Sequence, residues 1–256
     1  SIDSAIEDIM NGKAIIGVDS EYRENDGVLE IASELVTPDA NNFMAKEGRG
    51  MICVSITNER AKTLDLMPIE RKYTGLHETN FTTSVDARKN TTTGISAFDR
   101  SETVRAMIDD KTVAEDLSRP GHIFPIVGKE GGVLRRAGHT EASIDLAELA
   151  GLKPSGVICE IMADDGAMAR GDQLRDFSAK HNLKIISIED LIRFLRKKKK
   201  IVKKVEDIHL PTELGKFHLP LYEEIFNQKT HLALTYGEFL SEESVMVRVH
   251  SECLTG

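Results

Sequence analysis

Lys13-Ala14-Ile15-Ile16-Gly17-Val18 runs directly into Asp19-Ser20-Glu21-Tyr22-Arg23-Glu24-Asn25-Asp26-Gly27. The first six residues read as a short buried strand and the next nine as a charged loop. Five acidic or basic side chains directly after an apolar strand suggest a site at the strand's carboxyl end, where loops carry function. Taken alone, the loop reads equally as a solvated acidic turn. Glu24 offers the hard oxygen ligand that magnesium prefers.

Working outward, residues 4–11 read as a helix with Ser4 or Asp3 as N-cap and Gly12 as its stop. Thr37-Pro38 opens a helix that should end at Gly48, with Pro in its favoured first turn. Strands are expected at 51–56, 157–162 and 184–187, an extended stretch at 80–86, and helices at 58–64, 98–108, 143–150, 171–181 and from 188. Ser187 caps the last helix, with Asp190 completing a capping box. Strands and helices interleave without strict alternation, and hairpin-like stretches interrupt them. The expected fold class is α+β: a three-layer sandwich with a mixed sheet flanked by helices, followed by a small β-rich C-terminal fragment.

Arg135-Arg136-Ala137-Gly138-His139-Thr140-Glu141 is a second polar cluster, flanked by Gly132. Arginine grips phosphate oxygens with a planar fork, and a neutral imidazole can take a metal. A charged surface loop is the plain alternative. Glu160 lies inside the apolar run Val157-Ile158-Cys159-Glu160-Ile161-Met162. It is either satisfied by partners or has a raised pKa suited to proton transfer. His122, between Gly121 and Ile123, is a proton-transfer candidate or a satisfied core histidine. Thr92 and Thr93 either contact substrate or cap the helix near Asp99. Cys53 reads as core packing.

Several of these motifs together resemble one family. Arg23-Glu24-Asn25 behind Asp19, Thr92-Thr93-Gly94-Ile95-Ser96-Ala97, Arg119-Pro120-Gly121-His122, Arg136-Ala137-Gly138-His139-Thr140-Glu141 and Cys159-Glu160-Ile161-Met162-Ala163-Asp164-Asp165-Gly166 with Met168-Ala169-Arg170 are similar to 3,4-dihydroxy-2-butanone 4-phosphate synthase. The likeness covers roughly residues 4–196 in order. It implies conversion of D-ribulose 5-phosphate to 3,4-dihydroxy-2-butanone 4-phosphate and formate in riboflavin biosynthesis, with Mg2+ or Mn2+. It implies that Glu24 and His139 hold the metal. Arg23, Thr93, Arg136, Ala137, Gly138, Thr140 and Glu160 would join them in binding substrate, and Glu160 and His122 would join them in catalysis. A homodimer is also implied.

Composition is compatible with this. A net charge of -9 argues against nucleic-acid binding, and no apolar run is long enough for a membrane span. Three dispersed cysteines read as reduced thiols of a cytoplasmic protein. Lys197-Lys198-Lys199-Lys200 ends the regular pattern and reads as a solvated helix end or linker. Domains are therefore expected at 1–199 and 200–256. Beyond the lysines the texture is β-like at 202–210, 215–221, 231–236 and 245–250, and Leu210-Pro211-Thr212-Glu213-Leu214-Gly215 and Val247-Arg248-Val249-His250-Ser251-Glu252-Cys253-Leu254-Thr255-Gly256 resemble the opening of GTP cyclohydrolase II. Cys253 matches that family's first zinc cysteine. One thiol cannot make a zinc site, so cyclohydrolase activity is not expected from residues 200–256.

The first loop departs from the family's usual Asp-Asp/Glu-x-x-Arg-Glu-Asn-Glu-Gly-Asp. Asp26 is one methylene shorter than the usual Glu, leaving its carboxylate about 1.5 Å short, and Val28 replaces a substrate-contacting Asp. The expectation is a synthase of reduced activity, the alternative a catalytically impaired paralogue that binds a sugar phosphate or serves as a structural partner. Restoring both acids should raise turnover about tenfold, unless the pocket has re-formed around the valine.

Overall fold

The structure, a computed structural model, describes residues 1–20, 22–69, 79–225, 228–239 and 244–250. The chain divides into two units, Ser1–Lys199 and Lys200–Gly256.

Among the described residues the first unit has seven strands: β1 (Ile15–Val18), β2 (Gly27–Ala32), β3 (Cys53–Ile56), β4 (Val85–Ala87), β5 (Leu117–Val127), β6 (Gly156–Glu160) and β7 (Ile185–Ser187). They form one sheet in the order β4-β5-β3-β6-β2-β1-β7. β1 with β7 and β3 with β5 are parallel, and the other neighbours antiparallel. The sheet is therefore mixed, as the broken alternation of elements implied.

Among the described residues seven α-helices cover it: α1 (Ile2–Met10), α2 (Pro38–Phe43), α3 (Asn58–Thr63), α4 (Ala97–Ile108), α5 (His139–Leu149), α6 (Asp172–His181) and α7 (Ile188–Lys198). Successive strand residues face opposite sides. Ile16, Leu29, Ile31, Val54, Val157 and Cys159 pack against Met44, Val104, Met107 and Leu174. Ile15 and Ala32 pack on the other side with α1, α5 and α7 through Ile9, Leu146 and Leu191. Thr37 caps α2 by accepting the Ala40 N–H at 3.1 Å. The helix expected to run from 38 to 48 continues as a π-helical turn over Met44–Gly48. Ser187 caps α7, accepting the Asp190 N–H at 3.0 Å.

Three elements of this unit differ from the sequence reading. β2 is absent from the expected strands, because Glu30 interrupts its apolar run; all six of its residues are buried. β5 was missed because Arg119, Pro120 and Gly121 break any strand pattern. α5 begins at His139, four residues before the expected 143. Its residues from His139 to Ala147 are all buried, so it shows no amphipathic stripe at its start.

Asp145 on α5 is 5% exposed. It accepts the Val133 N–H at 2.8 Å and lies 3.9 Å from Lys199 Nζ. Burial pushes its carboxyl up to about 6. A carboxyl raised on folding destabilises the fold above its folded pKa, and that penalty fades as pH falls through about 6 toward the unfolded value. Asp145→Asn keeps an acceptor for Val133 and removes the buried charge. Urea unfolding should show a gain of about 1–3 kcal/mol at pH 8 that disappears near pH 4. An equal change at both values would contradict this.

In the second unit, β8 (Val202–Thr212), β9 (Gly215–Glu224) and β10 (Thr230–Leu232) form an antiparallel sheet in the order β10-β9-β8. The expected strand at 245–250 is not formed, and that at 231–236 shrinks to β10. Cys253 lies outside the described residues. Among the described residues, no helix is long and apolar enough to cross a membrane.

Candidate functional site

Asp19 directly follows β1 and is 6% exposed. One of its oxygens accepts from Arg23 Nη1 at 2.6 Å and from the Glu24 N–H at 3.3 Å, and the other from the Asp26 N–H at 3.0 Å. A single buried carboxylate thus winds the charged loop around itself. Burial works against its ionisation, but His139, Arg23 and the Asp26 amide hold it far below the usual carboxylate range. From the outer side Arg170 donates to the carbonyls of Asn25 (3.2 Å) and Glu24 (3.1 Å), and pairs with Asp26 at 3.1 Å. Asp26 is therefore an Arg170 partner here. Glu24 stands half-buried on this clamped loop, with Oε1 3.1 Å from Arg23 Nη2.

His139 is the first residue of α5, and its side chain is 7% exposed. Nδ1 lies 3.1 Å from Glu30 Oε1. Nε2 is buried without a hydrogen-bond partner and sits 3.9 Å from Asp19 Oδ1. Gly17 makes the arrangement possible, because a Cβ there would collide with the Glu30 carboxylate and stand 3.3 Å from His139 Nδ1. Burial disfavours an imidazolium, yet the facing carboxylates of Asp19 and Glu30 raise His139 to about 9. Burial raises Glu30 as well.

The geometry suits a divalent cation. An imidazole with one nitrogen held by a carboxylate and the other aimed, unpartnered, into a polar site is how metal-binding histidines are oriented. Among the described residues no three His, Cys, Asp or Glu side chains are grouped to hold a metal ion.

Arg136 pairs with the buried Glu141 at 2.7 Å and donates to Thr79 Oγ1 at 3.0 Å. Glu141 also accepts the Lys129 N–H at 2.9 Å. Gly138 is the extended N-cap of α5. A side chain there would press on Glu141 Oε2, 2.8 Å away. Ala137 is exposed and Thr140 buried in the first turn. The first-turn amides and Arg136 together suit an anion.

Glu160 ends β6, half-buried, and its Oε2 accepts the Met51 N–H at 2.9 Å. One of its two oxygens is thus held by the backbone. In the ladder it lies opposite Val28, and Glu30 opposite Ile158, so Val28, Glu30, Ile158 and Glu160 share one face. Cys53 is 1% exposed, and burial with the nearby Glu160 charge pushes its thiol well up. Burial and Glu160 push Cys159 up to about 12. Neither thiol is set up as a nucleophile.

His122 lies on β5, in a second cluster at the β4–β5 end of the sheet, paired with Asp86. Thr92 donates to the Asp99 side chain at 2.8 Å, the cap of α4 is Ser96, and Thr93 is exposed. Sequence reasoning missed Asp19, Glu30, Asp86, Glu141 and Arg170 as site builders. Glu30 carried a readable signal, an acid within Val28-Leu29-Glu30-Ile31-Ala32. That is the pattern that singled out Glu160.

The mixed sheet, the carboxylate loop and the buried imidazole at a helix start define a class of protein whose members can be compared directly. Residues 3–194 match 3,4-dihydroxy-2-butanone 4-phosphate synthase, and residues 203–256 match GTP cyclohydrolase II. The chain belongs to the 3,4-dihydroxy-2-butanone 4-phosphate synthase family. It is 53% identical over its whole length to the riboflavin biosynthesis protein RibBA of Aquifex aeolicus, and 52% identical to that of Cytophaga hutchinsonii. It spans 64% of the length of each. RibBX, a two-domain 3,4-dihydroxy-2-butanone 4-phosphate synthase from A. baumannii, superposes with a TM-score of 0.85 at 43% identity, covering 93% of this chain and 70% of that one. A 3,4-dihydroxy-2-butanone 4-phosphate synthase in complex with two magnesium ions superposes with a TM-score of 0.73 at 37% identity, covering 77% of this chain and 97% of that one.

Proposed function

We propose that the protein converts D-ribulose 5-phosphate to 3,4-dihydroxy-2-butanone 4-phosphate and formate, as a cytoplasmic homodimer using Mg2+ or Mn2+. The observation that carries this reading is His139, with Nδ1 held by Glu30 and Nε2 buried and unpartnered beside the Glu24 loop. Glu24 and His139 would hold the cation. When bound, it would supply Lewis-acid stabilisation of negative charge on the sugar's oxygens.

The protein's own groups do the rest. Arg136 and the first-turn amides of α5 bind the phosphate, and Arg23 faces the sugar from the opposite loop. Asp19 and Arg170 keep that loop in one conformation, so binding costs little ordering. Glu160 has Oε2 committed to Met51, and Oε1 is the oxygen that exchanges protons with the substrate. His122 exchanges them through Nε2. Reactions that move protons next to a carbonyl need such acid–base groups within hydrogen-bond reach.

The test is incubation of the full chain with ribulose 5-phosphate and Mg2+, assayed for formate. Steady formate release above a metal-free control is expected, and none at all overturns the reading. Sedimentation at micromolar concentration should give twice the chain mass, and a clean monomer would refute the dimer.

A further inference from the structure

We infer that Asp86 is the positioning residue for His122, setting which ring nitrogen carries the proton. The inference rests on the reading of His122 as a proton-transfer residue. Asp86 Oδ1 accepts the His122 backbone N–H at 2.9 Å, and Oδ2 lies 2.7 Å from His122 Nδ1. One carboxylate therefore holds both the main chain and the ring. A carboxylate can only accept, so Nδ1 carries the hydrogen and Nε2 presents a lone pair. The Asp86 side chain is 14% exposed and that of His122 40%. The pair is thus anchored inward, with the ring's other edge turned toward solvent.

The backbone is shaped to bring these groups together. The β4–β5 ladder shifts register between Val85 and Asp86, and such irregularities re-aim a side chain. Gly121 packs directly on this point, since a Cβ there would overlap the Val85 backbone. Gly94, at φ +93°, closes the third side. A Cβ at Gly94 would collide with the Asp86 carboxylate and lie 2.6 Å from His122 Nδ1. Two motifs far apart in sequence, Thr92-Thr93-Gly94 and Arg119-Pro120-Gly121-His122, thus converge on one acid–imidazole pair.

The plain alternative is an ion pair that merely ties β4 to β5. Asp86→Asn separates the two. An amide has one acceptor oxygen and cannot satisfy both N–H groups. With that oxygen on the backbone N–H, its NH2 faces Nδ1 and moves the ring hydrogen to Nε2, the wrong tautomer for a base there. The expected result is a kcat lower by roughly 10²–10⁴-fold, with KM within about threefold of the original. His122→Ala should fall comparably, and adding Asp86→Asn to it should cost little more, because groups acting as a unit are not additive. Asp86→Glu keeps a carboxylate and should recover part of the lost kcat.

Nitrogen-15 NMR of the ring reads the tautomer without turnover, with hydrogen on Nδ1 in the unaltered protein and on Nε2 in folded Asp86→Asn. An unchanged tautomer in that variant, or full kcat in it while His122→Ala is inactive, overturns the inference. Full activity in His122→Ala instead removes the reading of His122, and the NMR result still decides whether Asp86 sets the ring.

Discussion

Val28→Asp is expected to destabilise the protein by about 3 kcal/mol or more and to lower formate release with it. From the loop pattern alone, an acid at this position should improve the site. The packing around Val28 points to the opposite result. Val28 is 4% exposed and packs with Cys53, Ile126 and Ile158, flanked by Phe81 and Phe124. It lies directly opposite Glu160 across the β2–β6 ladder. An aspartate there would bury a charge among aliphatic side chains and place it against a like charge, and directly opposed like charges destabilise a strand pair. Asp26→Glu acts elsewhere, because Asp26 pairs with Arg170. The urea midpoint and kcat/KM of Val28→Asp, alone and with Asp26→Glu, decide the matter. A stable double variant with about tenfold higher kcat/KM would show that the missing acids limit this site.

His139→Ala and Glu24→Gln should each abolish retention of Mn2+ and, with it, formate release. In titrations of the unaltered chain, one protein-anchored site per chain is expected. Glu30→Gln provides the finer test, since it keeps the shape of the buried side chain and weakens only its grip on His139 Nδ1. Loss of such a supporting partner typically costs 10–100-fold in metal affinity, and that intermediate weakening is expected here. Equal binding by all three variants and the unaltered protein would sink the assignment of Glu24 and His139.

The sequence by itself determined the elements whose signal is local. β1 is a run of aliphatic residues, and α2, α4 and α7 carry side-chain caps at Thr37, Ser96 and Ser187. Glu24, His139 and Glu160 stood out because each is a polar group of definite chemistry in a telling place, Glu24 in a charged loop after an apolar strand, His139 beside Gly138 and Glu160 inside an apolar run. The charged loop after β1 was legible for the same reason.

What only the tertiary structure decided depends on neighbours remote in sequence. β2 and β5 contain residues that local propensity rejects, Glu30 in one and Arg119-Pro120-Gly121 in the other. They are strands because adjacent strands satisfy their backbones and because His139 and Asp86 give their polar side chains partners. α5 starts at His139 because its first turn is buried on every side. The partnerships Glu30–His139, Asp86–His122, Arg170–Asp26 and Arg136–Glu141 follow no spacing rule. Three of the four join residues more than thirty positions apart, and Arg136–Glu141 bridges the start of α5. Such pairs arise from strand register and helix placement, so pairing and orientation of the site belong to the fold, and the chemical identity of its groups to the sequence.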